Sequence, residues 1–472
     1  MILWLVLIAH VLGLASALSV LMSGRTPRGT VAWIGALVLV PYLAVPLYWL
    51  LGRYRLPEYL TARHGEDFPV LRGAEDLLAG GERTLPENSV CPPSFSLLER
   101  LVGLPFVGGN DVEILVDGPA TFESIFSGID AARDYLLVEY YVVKDDATGR
   151  ELRDRLTRKA REGVDVFFLY DEIGCYGLSD DFIRTLVEAG VHVQSFGAGR
   201  KLGKRLQLNF RNHRKIVVAD GRRAWVGGLN VGDEYAGRKE GVLPWRDTHV
   251  RIDGPAVAHF QLAFIEDWHW MAKALPEREG GWEWAPPERG RVGVLGVPSG
   301  PADPVETASM MVQHLLHKAQ ERVWIATPYF VPDDQVLSAL KLAALRGIDV
   351  RVLMPERTDN TLIYLAEFAF LESLLRTGVR IFRYGPRFLH AKRLLVDRNI
   401  GLVGTMNLDN RSFRLNFEIT MIAADREVAG RLEEVFEEDF GEARVVTENE
   451  LTARPFALRA ASRAANLLAP VL

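Results

Sequence analysis

The sequence predicts an α/β protein made of two similar domains, related by pseudo-two-fold symmetry and preceded by a hairpin of apolar helices. Three observations lead to this prediction. Two uncharged segments stand at the N-terminus. Strand-like and helix-like segments then alternate, which is typical of α/β domains. The order of these segments, together with a set of polar residues, occurs twice, so two equivalent surfaces are expected to face each other.

The N-terminal 51 residues predict a transmembrane hairpin. Residues 1–22 and 31–51 contain no Asp, Glu, Lys or Arg, and each is long enough to cross a bilayer as a helix. Arginines in the connection are outnumbered by those that follow residue 51. The positive-inside rule therefore favours a multi-pass protein of the cell membrane whose catalytic region is cytoplasmic. Residues 52–110, with scattered Pro, Gly and charge, predict a linker.

Charge and cysteine content exclude several classes of protein. The net charge is −6, whereas a bulk nucleic-acid binder has a large basic excess, so no nucleic-acid partner is expected. Cys91 and Cys175 lie far apart in the chain and predict neither a zinc site nor a disulfide framework.

An internal repeat defines the two domains, predicted at 111–290 and 291–450. Strand-like segments and the helix ends that precede them match in pairs, RDYLLVEYYVV with ERVWIATPYFV, GVDVFFLYDE with GIDVRVLMPE, and LVEAGVHV with LLRTGVRI. A pattern of polar and glycine residues then recurs at a constant separation of 177 positions. Its first copy is His213, Lys215, Asp220, Gly227 and Asn230, and its second copy is His390, Lys392, Asp397, Gly404 and Asn407.

The histidines and lysines of the repeat predict phosphodiester chemistry. Residues at i and i+2 share one face of a strand, so each histidine projects beside its lysine. An imidazole can attack phosphorus while an ammonium offsets charge on the non-bridging oxygens. Asn230 and Asn407, after glycine-containing turns, are expected to donate hydrogen bonds to the same oxygens. Two histidines brought together can divide nucleophilic and acid–base roles, without a metal or cofactor.

Four carboxylates complete the candidate catalytic residues. Asp220 and Asp397 belong to the motifs but fall at strand ends leading into turns. They are expected to support structure or fix the lysines without touching substrate. Asp247 and Glu418 each begin the next strand in their own half and are predicted to orient a histidine through its other ring nitrogen. The alternative is an edge carboxylate paired with an arginine.

Two basic segments have two interpretations each. The first half has a longer connection before its histidine, and this connection predicts either a solvated loop or a basic lip that attracts phosphate groups. The lip residues are Arg200, Lys201, Lys204 and Arg205. The C-terminal tail, 451–472, is basic and apolar with helical spacing. It predicts either a helix on the membrane surface or a helix docked on the second domain.

The doubled pattern HxKxxxxD, followed by GGLN in one copy and GTMN in the other, resembles the phospholipase D superfamily over roughly residues 112–444. Within it, segments such as NFRNHRKIVVADG, WRDTHVRIDGPAV and ATPYFVPD are similar to those of two-span bacterial cardiolipin synthases. The resemblance implies transfer of a phosphatidyl group between two phosphatidylglycerols, giving cardiolipin and glycerol through a phosphohistidine. It also implies His213 as the nucleophile and His390 as the acid–base; the symmetry of the sequence alone leaves that order open.

Three other functions compete with transfer. A hydrolytic, membrane-anchored phospholipase D would use the same residues and let water resolve the intermediate. A phosphodiester nuclease is disfavoured by the net acidity and by the apolar N-terminus. A membrane scaffold with a decayed repeat is disfavoured because both histidines and both lysines are present.

Overall fold

The structure is a computed structural model that describes residues 2–23, 27–52, 96–197 and 209–469. The N-terminal region contains three helices, α1 Ile2–Met22, α2 Pro27–Leu39 and α3 Pro41–Leu51. Their shared contacts include Val20, Leu37 and Val45. In the described parts of the chain, no helix is both long and apolar enough to cross a membrane.

The predicted second segment, 31–51, whose prolines were expected to kink it, is divided into two helices at Val40. This residue leaves the helical conformation, with φ −137° and ψ 56°, and α3 begins at Pro41. A proline ring crowds the residue before it and disfavours the α conformation there. The hairpin therefore consists of one unbroken helix packed against two shorter ones.

The first half follows a short helix, α4 Ser96–Val102, and alternates strands with helices. Its elements are β1 Val107–Val116, α5 Asp117–Ala131, β2 Tyr135–Tyr140, α6 Ala147–Arg161, β3 Asp165–Asp171, α7 Asp180–Glu188, β4 His192–Phe196, β5 Arg211–Asn212, β6 Ile216–Ala219, β7 Arg223–Gly227, α8 Asp233–Ala236, β8 Thr248–Asp253 and α9 Val257–Ala272.

The second half repeats the main strands and helices of this order, contains additional short strands and ends with two short helices. Its elements are β9 Val292–Ser299, α10 Thr307–Lys318, β10 Arg322–Ala326, β11 Phe330–Val331, α11 Asp334–Leu345, β12 Asp349–Pro355, α12 Thr361–Leu375, β13 Arg380–Tyr384, β14 Arg393–Val396, β15 Ile400–Gly404, β16 Leu408–Asp409, α13 Asn410–Arg414, β17 Asn416–Ala424, α14 Arg426–Gly441, β18 Ala443–Val445, α15 Glu448–Thr452 and α16 Phe456–Asn466.

The two halves form one 16-stranded sheet that joins where β1 pairs antiparallel with β9. Outward from this junction the first half runs β1-β8-β7-β6-β2-β3-β4. The second half runs β9-β17-β15-β14-β10-β12-β13 and ends with β18, and the sixteenth strand, β5, pairs with β17 beside this path. The matching orders make the two domains equivalent by a pseudo-two-fold rotation, and they bring the strand that follows each histidine to the same place in its own half.

Alternate side chains of the first-half strands enter two separate cores. Leu136 and Val138 pack in one core, with apolar residues of α5 and α6. Leu137 of the same strand faces the other core, with residues of α9 and the second half. Because successive side chains in a strand point to opposite faces, a sheet buried on both sides needs apolar residues at every position. The residues YLLV of β2 meet this requirement, whereas Glu139, the next residue of the strand, is buried although it is polar.

The predicted linker is too long at its C-terminal end. Residues 53–95 lie outside the described part of the chain, but α4 and the start of β1 precede residue 110. Leu98, Leu104 and Phe106 are buried in the core that includes the second half. These apolar residues are too few and too closely spaced to resemble a long periodic element, which is why the sequence pattern predicts a linker there.

The C-terminal tail docks through α16 on α12 of the second half. Ser462 and Ala465 of α16 are buried on the packed side of the helix, whereas the side chain of Phe456 at its start is 78% exposed. The guanidinium of Arg454 lies over the ring of Phe368, 3.2 Å from its centre. The docked-helix interpretation thus describes the packed face of the tail.

Candidate active site

Each repeated histidine lies where its own half contacts the other half. The His213 N–H donates to the carbonyl of Phe417 at 2.9 Å, and the His390 N–H donates to the carbonyl of Arg246 at 2.8 Å. The residues just before His213 form β5, which pairs in parallel with β17 of the second half. Leu389 makes the equivalent bridge to Arg246. The chain around each histidine is therefore held by main-chain hydrogen bonds across the domain junction.

The carboxylates predicted to orient the histidines are exchanged between the halves. His213 Nδ1 is 2.9 Å from Glu418 Oε2, and His390 Nδ1 is 2.8 Å from Asp247 Oδ2. Both carboxylates are completely buried. The sequence places each carboxylate beside the histidine of its own half, but each contacts the histidine of the opposite half. Neither of them forms an ion pair with an arginine among the described residues, unlike the edge carboxylate considered as the alternative.

The motif lysines are buried and bind the main chain of their histidines. Lys215 Nζ donates to the His213 carbonyl at 2.6 Å, and Lys392 Nζ donates to the His390 carbonyl. Burial lowers the pKa of Lys215 to about 7, although the charge of Glu418 opposes this shift. Burial likewise lowers the pKa of Lys392 to about 8. Each lysine uses one donor on a carbonyl and has two further N–H groups for a phosphate.

Burial keeps both imidazoles neutral near pH 7. It lowers the pKa of His213 to about 4, against the opposing charge of Glu418. It also lowers the pKa of His390 well below its ordinary value, and the charges of Lys392, Lys215 and His213 lower it further. Groups from one half thus act on the histidine of the other. The two motifs share one electrostatic environment, and the neutral rings can act as nucleophile or base.

The two orienting carboxylates differ in their acidity. Burial raises the pKa of Asp247 to about 6, despite the opposing effect of Lys392. For Glu418 burial also favours the neutral form, but its interaction with His213 and the charge of Lys215 outweigh it, and the pKa is lowered. The partner of His213 is therefore the more firmly ionised of the two.

The asparagines after the glycine turns are both buried. Asn230 accepts from the Val142 N–H at 3.2 Å and donates to the Tyr235 hydroxyl at 3.3 Å. Asn407 Oδ1 has no hydrogen-bond partner within the described residues. Its main-chain N–H donates to Ser412 Oγ at 3.1 Å. The second asparagine therefore has the less satisfied amide of the pair.

Comparisons with known proteins agree with this arrangement. A family model described as cardiolipin synthase, PLD-like domain, matches residues 125–268 and 312–440, and a phospholipase D-nuclease N-terminal model matches residues 2–53. Cardiolipin synthase A of Pseudomonas entomophila is 41% identical over 99% of this chain and 98% of its own length. The enzyme of the same name from Pseudomonas putida is 42% identical over 98% of this chain and 96% of its own length.

The chain belongs to the cardiolipin synthase family. It is accordingly a phosphatidyltransferase of the phospholipase D superfamily. The crystal structure of phosphatidylserine synthase from Haemophilus influenzae Rd KW20 superimposes with a TM-score of 0.63 and 17% identity, covering 80% of this chain and all of that one. At this identity the similarity establishes the two-domain α/β fold and nothing more.

The motif aspartates of this family member lie away from the histidines. Asp220 and Asp397 adopt the left-handed conformation, each with φ 54°, in the turns after β6 and β14. Each carboxylate accepts the main-chain N–H groups of three successive residues, 133–135 and 320–322. Each aspartate is seven positions, or roughly 20 Å of extended chain, from its histidine. Both carboxylates hold the main chain at the starts of β2 and β10, and neither contacts a motif lysine among the described residues.

Aromatic rings that the motif analysis did not single out surround the imidazoles. The Tyr141 ring meets His213 edge-on at 4.9 Å, in the segment VEYYVV. On the other side Trp245 lies 4.9 Å from His390, with Phe388 at 6.1 Å. These rings replace water around both histidines, which are 9% and 6% exposed. Their position in the sequence, next to a motif or at the end of a repeated strand, is the feature that could have identified these residues.

Buried arginine–aspartate pairs beside the motifs were also missed. Arg214 Nη1 donates to Asp267 at 2.8 Å, and Arg393 binds Asp439 in the second half. Both aspartates are fully buried on α9 and α14, in the matched segments FIEDW and FEEDF. An arginine beside a motif lysine in an otherwise apolar strand requires such a partner, because an unpaired buried charge is costly. The four residues of the predicted basic lip lie outside the described residues.

Proposed function

We propose that this protein joins two phosphatidylglycerol molecules into cardiolipin and glycerol, with one phosphatidyl group held on a histidine between the two steps. The observation that supports this most is the exchange of orienting carboxylates across the domain junction. Each histidine depends on both halves, so a nucleophile and an acid–base group belong to one site. Family membership supplies the substrate class.

In the first step His213 Nε2 attacks the phosphorus of the donor lipid, and the bond from phosphorus to the glycerol headgroup breaks. Phosphohistidine carries a positive ring while Nδ1 keeps its proton, so an ionised partner stabilises it. Glu418, whose pKa is lowered, suits that role better than Asp247, whose pKa is raised to about 6. This difference supports His213 as the nucleophile.

His390 completes the proton balance. The phosphate of the bound lipid brings a negative charge that raises the pKa of the His390 imidazole, which then protonates the departing glycerol oxygen. In the second step the neutral ring takes the proton from a headgroup hydroxyl of the second lipid. That oxygen attacks phosphorus, cardiolipin forms and His213 is released. The lysines and asparagines donate to the non-bridging oxygens throughout.

Product analysis with phosphatidylglycerol as the sole lipid tests this function. Cardiolipin and glycerol in equal amounts are expected, and His213→Ala and His390→Ala should each abolish both. Phosphatidate as the main product would instead select the hydrolytic phospholipase D. A histidine variant that keeps most of its activity would remove that residue from the mechanism.

We further propose that the segments 1–22 and 31–51 anchor the enzyme as a transmembrane hairpin with its catalytic region in the cytoplasm. Large apolar side chains are exposed on these helices, among them Leu14, Val31 and Leu39 at 61%, 72% and 78%. An anchor keeps the site beside a diacyl substrate and raises its effective concentration. Retention in membranes after an alkaline carbonate wash supports the anchor, whereas release by the wash contradicts it.

A further inference from the structure

A second pair of buried carboxyl groups lies directly behind the His213 segment. Glu139 on β2 and Asp267 on α9 are both almost completely buried. The Nδ2 group of Asn212 donates to Glu139 and, at 2.9 Å, to Asp267. The two carboxyls therefore both lie within hydrogen-bond distance of one amide nitrogen. Two ionised carboxylates held this close in a buried place repel each other, and one proton on the pair removes that repulsion.

We propose that Glu139 and Asp267 form a carboxyl pair that holds one proton, and that this pair positions His213 against Glu418. Arg214 supplies one positive charge, with Nη1 2.8 Å from Asp267. One proton on the pair makes the three groups neutral in sum, which is the state that a buried site favours. Without the proton, Glu139 Oε2 has no donor within the described residues.

The carboxyl pair reaches the histidine through the residues on either side of it. Asn212 Oδ1 accepts from the Arg214 N–H at 3.1 Å, which closes a loop around His213. Arg214 Nε donates to the main-chain carbonyl of Glu418 at 3.1 Å. Both partners of the 2.9 Å contact between His213 and Glu418 are therefore tied to the pair. A shift of the carboxyl pair would therefore move His213 relative to Glu418, although the pair itself does not touch the lipid.

The second half has no equivalent pair. In the aligned repeat, uncharged side chains occupy the positions that correspond to Glu139, Asn212 and Arg214; they are Thr327, Leu389 and Ala391. Burial raises the pKa of Glu139 well above its ordinary value, and the charge of Asp267 raises it further. This direction agrees with a proton held at neutral pH and located mainly on Glu139.

Two isosteric variants separate this inference from a general role in stability. Glu139→Gln keeps an uncharged side chain that can donate to Asp267, so it is expected to retain most of the wild-type kcat. Asp267→Asn removes the counter-charge of Arg214 and should lower kcat about 10- to 100-fold through misplacement of His213. KM for phosphatidylglycerol should change little, because neither residue touches substrate. Glu367→Gln, a buried carboxyl paired with Arg383 at 2.9 Å, serves as the matched control with unchanged kcat.

Infrared difference spectra between wild type and Glu139→Gln provide a readout that does not depend on activity. The wild-type protein at pH 7 should show the carbonyl stretch of a protonated carboxylic acid, and this band should be missing from the variant. Identical spectra in this region, or a Glu139→Gln variant that is as slow as Asp267→Asn or does not fold, would overturn the shared proton. A folded Asp267→Asn variant with wild-type kcat would overturn the positioning role. If that variant does not fold, the spectra decide.

The kinetic comparison rests on the proposed phosphatidyl transfer, whereas the infrared band does not. An absent band in an enzyme that still makes cardiolipin therefore rejects the carboxyl pair alone. A band that behaves as expected in an enzyme that releases phosphatidate rejects the transfer function alone.

Discussion

Replacement of Glu418 by glutamine tests the exchanged pairing most directly. The side chain keeps its size but loses the charge that faces His213 Nδ1 at 2.9 Å. A buried hydrogen bond to an ionised group contributes about 1.5–3 kcal/mol, and one between neutral groups about 0.5–1.5 kcal/mol. Two unit charges about 4 Å apart interact by about 4 kcal/mol at an effective dielectric of 20. If the transition state of phosphohistidine formation loses ~3–4 kcal/mol of stabilisation, kcat falls roughly 10²- to 10³-fold.

Asp247→Asn is the matched variant on the other histidine, and a change of leaving group separates the two. A phosphatidyl ester of p-nitrophenol needs no proton on its leaving group, so the first step should no longer require His390. The burst of p-nitrophenolate should therefore return to near the wild-type rate in Asp247→Asn. It should stay slow in Glu418→Gln, where the nucleophile itself is impaired.

Rapid-quench measurement of the p-nitrophenolate burst gives a clear decision. If Glu418→Gln recovers with the activated lipid while Asp247→Asn does not, the nucleophile is His390 and the two histidine roles are reversed. A Glu418→Gln enzyme with nearly wild-type kcat on phosphatidylglycerol would refute the reasoning that the ionised partner stabilises the intermediate.

Three further outcomes follow from the same contacts. Asp397→Asn should lower the free energy of unfolding by about 1–3 kcal/mol in chemical denaturation, because three main-chain N–H groups lose an ionised acceptor. The kcat of this variant should stay near that of the wild type. A large fall in kcat with unchanged stability would instead indicate a role of Asp397 in catalysis. The kcat/KM of the wild type should fall as the pH rises through about 7 to 8, because Lys215 and then Lys392 of the lipid-free enzyme lose the positive charge that is present below their pKa values. A flat kcat/KM profile up to pH 9 would contradict these shifts. Neutralising the basic lip should reduce kcat/KM for anionic vesicles at low salt and have little effect at high salt. Equal losses at both salt concentrations would contradict electrostatic attraction. The residues to replace with glutamine are Arg200, Lys201, Lys204 and Arg205.

The repeat in the sequence was sufficient to predict the two-domain α/β fold, because the same order of strands, helices and motif residues predicts the same topology in the two halves. The partners of the histidines were harder to predict. Asp247 and Glu418 are the right residue types and begin a neighbouring strand, but 205 positions separate His213 from its actual partner. Nothing local specifies that the segments before the histidines pair with strands of the opposite half, since this follows from how the sheet continues through β1 and β9.

Other differences have local causes that a pattern of residue types does not express. Asp220 and Asp397 share a motif with the histidines, yet their left-handed backbone turns the carboxylates towards the start of β2 and β10. Pro41 interrupts a segment whose hydropathy is uniform. Arg214 and Asp267 form a pair across 53 positions, so each looks like an isolated charge in the sequence.

The departure from symmetry is the feature that a transferase of this design needs. Two identical histidines would compete for the same phosphorus, and either order of attack would be equally good. In this chain the His213 side has an ionised Glu418 and a polar network that runs back to Glu139, whereas the His390 side has Asp247, Trp245 and Phe388. A fixed charge favours the ring that becomes a cation covalently bound to phosphorus. An apolar surrounding favours the ring that must return to neutral after each proton transfer. In the proposed mechanism, the duplicated motif provides two equivalent histidines, and the unmatched residues around them favour His213 as the nucleophile and His390 as the acid–base group.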